Sequence, residues 1–129
     1  MQRVKAIIVL LLIWILTIGA ERGENPNAVD LTTMEKMHTT AYNLHGTTAT
    51  GGTTRKGICA CNTHMGDLAL IYSTNGDFLG IYEVTDTGGT DGLKAGTVID
   101  VWFDTYEECE EWMRLTEGKC YVQWVHGEG

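Results

Sequence analysis

Three carboxylates are the residues of this chain best placed by type and context to do chemistry: Asp86, Asp100 and Asp104. Asp100 lies inside TVIDVWF (97–103), where a two-residue period puts Val98, Asp100 and Trp102 on one face and Ile99, Val101 and Phe103 on the other. Aspartate is depleted in strands, and a buried one needs partners or a raised pKa. Partial burial beside a second carboxylate keeps a carboxylic acid protonated near neutral pH, ready to give up its proton. Asp86 ends an apolar strand and opens the glycine turn Asp86-Thr87-Gly88-Gly89, a position that also suits an Asx turn. Asp104 directly precedes a helical pattern and is expected to serve as its N-cap. Other chemistries find less support. His38, His45, His64 and His126 have no metal-binding or triad spacing, and no serine or cysteine sits in a nucleophile motif. No metal and no cofactor are expected.

The elements that must hold these acids are short strands separated by turn residues. Apolar or alternating runs occur at 37–43, 58–61, 67–73, 78–84, 97–103 and 119–125. Asn75-Gly76 is a strong hairpin signal between the third and fourth runs. Residues 45–57 and 86–96 read as two glycine-rich loops, and a loop as long as the first inside a small domain suggests function. One helix is expected over TYEECEEWMRL, opened by a capping box of Asp104 with Glu107 or Thr105 with Glu108, and ended by Gly118. Cys109, Trp112, Met113 and Leu115 give it a partial apolar face. Six strands, one helix and two loops suggest a small closed β-barrel. Trp102, Trp112 and Trp124 fall on patterned elements and read as core.

The N-terminus sets the compartment. Arg3 and Lys5 precede an apolar run from Ala6 to Ala20, too short for a typical membrane span and suited to a signal peptide, with an uncleaved anchor as the alternative. Residues 21–36 read as a polar tether, and 37–126 as a single domain. Net charge is −8, and loss of residues 1–20 leaves seven basic against seventeen acidic residues, or −10. Such a domain lacks the basic stripe that nucleic acid requires. Cys59, Cys61, Cys109 and Cys120 follow the export segment. They allow either a bridge from Cys109 to Cys120 or four small buried thiols.

The run IYEVTDTGGTDGLKAGTVIDVWFDTYEECEEW (81–112), with TAYN (40–43), TATGG (48–52) and GICACN-x-x-x-GDLALIY (57–72), resembles the 3D, or three-aspartate, domain. That domain occurs in membrane-bound lytic transglycosylases and small exported muralytic proteins, and the resemblance covers roughly 37–126. It implies a double-psi β-barrel that cleaves the bond between N-acetylmuramic acid and N-acetylglucosamine, leaving a 1,6-anhydro end. Attack by the sugar's own C6 hydroxyl needs no activated water, so one carboxyl group can serve as acid and then base. By position Asp100 matches the catalytic aspartate and Asp86 the first aspartate, which holds the turn and tunes Asp100. The third acid is Asp104, or Glu107 in its place. Thr48, Arg55 or Lys56, Thr87, Gly88 and Gly89 match the substrate-lining loops. Asn62 and Thr63 depart from the pattern, standing where the family carries an acid and a proline. The expected partner is peptidoglycan glycan, outside the cell, with membrane contact only through an uncleaved N-terminus. A non-catalytic glycan-binding module on the same barrel is the alternative.

Overall fold

The computed structural model describes residues 29–127; the export segment expected over 1–20 and the first half of the tether, 21–28, lie outside the described residues. A 3-10 turn at Leu31–Thr33 precedes β1 (Glu35–Tyr42), so the strand takes in the last two residues assigned to the tether. Then follow β2 (Ile58–Ala60), β3 (Leu68–Tyr72), β4 (Phe78–Asp86), α1 (Asp91–Ala95), β5 (Val98–Trp102), α2 (Tyr106–Thr116) and β6 (Lys119–Val125). The six strands close into one barrel in the order β1-β5-β2-β4-β3-β6. Two neighbouring pairs, β1 with β5 and β2 with β4, are parallel, and the others are antiparallel.

The barrel interior follows from strand alternation. Met37 on β1, Cys59 on β2, Ala69 and Ile71 on β3, Val84 on β4, Ile99 and Val101 on β5, and Cys120 and Val122 on β6 form its buried core. All four cysteines are buried free thiols, so the second of the two cysteine readings holds and no bridge joins Cys109 to Cys120. Two helices are present among the described residues where one was expected. The additional one, α1, lies inside the second glycine loop: the Thr90 side chain caps its Leu93 N–H, and Gly96 ends it in the left-handed region at φ 78°.

The longer helix is capped by Thr105, whose hydroxyl oxygen accepts from the Glu108 N–H at 3.2 Å; Asp104 is not the cap. Its buried face is Cys109, Trp112 and Thr116, spaced at helical period, while Met113 and Leu115 are exposed. The expected apolar face therefore holds only in its first two members. Trp112 enters the core and its indole N–H donates to Thr39 Oγ1 at 2.9 Å. Trp102 is also buried, with its N–H on the Leu44 carbonyl at 2.7 Å, and Trp124 is half-buried against the His64 ring.

Candidate functional site

The strand register brings two of the three acids into one row. Thr40, Asp100, Ala60 and Asp86 are successive partners across β1, β5, β2 and β4. Partners in register share a face, and here it is the outer one, because Ile99, Val101 and Cys59 beside them point into the core. Asp86 reaches that face through a bulge. The pairing runs from Cys59–Val84 directly to Ala60–Asp86, leaving Thr85 as an extra residue that reverses the alternation of β4. Ala60 alone separates the acids, so their Cα atoms lie two strand spacings apart, about 10 Å.

The two carboxyls are held differently. Asp86 accepts three hydrogen bonds: Oδ1 takes the N–H groups of Ala49 at 3.1 Å and Thr87 at 3.0 Å, and Oδ2 takes the Tyr42 hydroxyl at 3.0 Å. Asp100 is half-buried, and the Thr40 hydroxyl hydrogen-bonds to its carboxyl. Its Oδ1 is buried with no partner. Burial raises the Asp100 pKa, the Thr40 hydrogen bond pulls the other way, and the negative charge of Asp86 adds to the rise. Tyr42, also half-buried, is pushed up by burial and then by Asp86, so its phenol stays a neutral donor. Arranged this way, the pair separates roles: one carboxyl is fixed by donors, and the other has an unsatisfied oxygen suited to carrying a proton.

Of the remaining residues singled out in the sequence, some lie beside this row and others do not. Thr48 is buried, with its hydroxyl bonded within its own loop to Thr50 Oγ1 at 3.1 Å and the Gly52 carbonyl at 3.3 Å. It shapes the loop that presents the Ala49 N–H to Asp86. Arg55 is paired with Glu83 at 2.9 Å and Lys56 with Glu108 at 3.7 Å, both on the surface. Thr87 is exposed and Gly89 open, next to the acid. Gly88 packs tightly: a Cβ there would come within 2.2 Å of Leu93 Cδ1. Asp104 lies beyond the end of β5, exposed, with Oδ1 2.8 Å from His45 Nε2. Glu107 is exposed in the first turn of α2.

Two site residues were not singled out beforehand. Tyr42 was noted only as part of TAYN, and its role needs the pairing of β1 with β5 to be known. Asn62 grips Gly88 from both sides, accepting from its N–H and donating to its carbonyl, each at 2.9 Å, and so fixes the turn after Asp86. The sequence signal for Asn62 was its departure from the family pattern. A separate polar cluster joins Asp67 Oδ2 to His64 Nδ1 at 3.0 Å and His126 Nδ1 at 3.3 Å. Among the described residues, no group of three or more His, Cys, Asp or Glu could hold a metal ion. No protein-family model, curated protein or solved structure matches the chain.

Proposed function

We propose that this domain cleaves peptidoglycan glycan strands in the manner of a lytic transglycosylase, with Asp100 as the single acid and base. The observation that carries the reading is the bare, buried Oδ1 of Asp100 in the same outer-face row as Asp86, which three donors hold. A proton kept on Asp100 is given to the glycosidic oxygen. The resulting carboxylate then takes the proton of the sugar's C6 hydroxyl as that oxygen closes on C1 to form the anhydro ring. With both its oxygens accepting hydrogen bonds, Asp86 is poorly placed to act as a nucleophile, which favours this route over a two-carboxylate displacement. The barrel is read as the double-psi type, supported by its two parallel pairs joined through the antiparallel contact of β2 with β5. Residues 1–20 are read as the export segment or anchor that carries the domain to the wall.

The test is incubation of the full chain with purified cell wall, identifying released ends by mass. Anhydro-ended muropeptides should appear, and Asp100→Asn should abolish them while leaving sedimentation with the wall nearly intact. Wall binding without any release by the wild type would replace this reading with the glycan-binding module; neither binding nor release would discard both.

A further inference from the structure

We infer that Tyr42 positions the glycan by accepting a hydrogen bond from a sugar hydroxyl, an assignment that rests on the glycan-cleaving reading above. Tyr42 stands on the outer face of β1, one pleat beyond Thr40 and thus beside the row of acids. Its phenol carries one proton, and that proton is committed to Asp86 Oδ2 at 3.0 Å. No donor among the described residues reaches the phenol oxygen, so its remaining acceptor capacity is unused. The ring stays neutral because burial and the charges of Asp86 and Asp100 oppose its ionisation.

The site then offers a ligand two complementary groups: a proton donor at Asp100 and an acceptor at the Tyr42 oxygen. Asp86 already takes three donors, which leaves it at most one lone pair, on Oδ2. A polyol fits this arrangement, giving a hydroxyl proton to Tyr42 while its bridging oxygen receives the proton of Asp100. An anionic phosphate does not fit, because it has no proton to offer Tyr42 and would face the charge of Asp86. Tyr42 is therefore a substrate-positioning residue that selects for a hydroxyl on the sugar next to the cleaved bond.

Tyr42→Phe keeps the ring and removes only the oxygen. Loss of its hydrogen bond to the sugar should raise KM for soluble, peptide-free glycan strands about three- to tenfold, and loss of its donation to Asp86 should lower kcat as well. The same loss should appear as a weaker Kd for those strands when Tyr42→Phe is compared with the parent in an Asp100→Asn background, where no turnover intervenes. An amide spectrum matching the wild type shows that the variant is folded. A fall in kcat at constant KM, or an unchanged Kd in the Asp100→Asn background, would make Tyr42 only a holder of Asp86 and overturn the assignment. If the parent Asp100→Asn chain binds no glycan at all, the glycan reading fails first and Tyr42's role fails with it. Binding by that parent with no effect of Tyr42→Phe removes the positioning role alone.

Discussion

Asp100→Asn should make the protein more stable at neutral pH, because the acid is held where an ionised carboxylate is poorly solvated. Its Oδ1 is buried without a partner, only Thr40 donates to the group, and the charge of Asp86 lies across Ala60. Folding thus raises the Asp100 pKa, chiefly through burial. The sign follows from linkage: as pH rises above the unfolded aspartate value of about 3.9, the unfolded chain loses its proton before the folded one does, and stability falls until the raised folded midpoint is passed. Asparagine has nearly the same shape, keeps an acceptor for Thr40 and carries no charge. Leaving a buried polar atom unpartnered costs about 1–3 kcal/mol and more when it is charged; asparagine still leaves one unpartnered and removes only the excess due to the charge. Because Asp100 is only half-buried, the lower end applies, giving a gain of about 1 kcal/mol and a Tm increase of about 4–8 °C for a domain of this size. Thermal melts of both proteins between pH 3 and pH 8 would measure it. The difference should be near zero at pH 3, open above about pH 4 and then level off. A variant no more stable than wild type at pH 7 refutes the reasoning. So does a gain undiminished at pH 3, which would come from packing instead of charge.

Gly88→Ala should cost about 1–3 kcal/mol in urea unfolding, since the new methyl would collide with Leu93 Cδ1 inside the clasp made by Asn62; a loss below about 0.5 kcal/mol would show that α1 moves away freely. Asp104→Asn should alter stability by less than about 1 kcal/mol, because its contact with His45 is exposed. It should also retain wall release within about threefold, and a loss as complete as that of Asp100→Asn would return Asp104 to the catalytic group. The thiols should resist a disulfide reagent at pH 8 in the folded protein: burial raises Cys59, Cys61 and Cys109 and pushes Cys120 up to about 12. All four should react after unfolding, and rapid labelling of the native chain would contradict the buried core.

The strands could be read from local pattern because each is an apolar or alternating run with its own turn residues. All six expected runs became strands, and the Asn75-Gly76 turn closes with the Ser73 N–H on the Asp77 carbonyl at 2.8 Å. Local pattern fails where a competing signal has the same composition. The glycines of 86–96 concealed α1, although Thr90 and Gly96 are sound caps once the helix is seen. Asp104 and Thr105 offered equivalent capping boxes, and the choice fell to Thr105 while Asp104 met His45 from a distant loop.

The site itself is a consequence of register, which no local window contains. The outward direction of Asp100 follows from simple alternation within 97–103 once Ile99 and Val101 are placed in the core, and its partner on β1 comes from 60 residues earlier. Asp86 is the instructive case. Counting by twos from the buried Val84 would send Asp86 into the core, where its charge would be prohibitive. The bulge at Thr85 reverses that outcome and turns the acid to the face where Tyr42, Ala49 and Thr87 can reach it. Those donors come from three separate segments, so the difference between the two carboxyls exists only once the barrel has closed. A composition rich in glycine and threonine can allow such loops without specifying them. The parallel pairing of β2 with β4, and the single residue inserted there, distinguish two aspartates on strands consecutive in sequence from an acid and its charged companion.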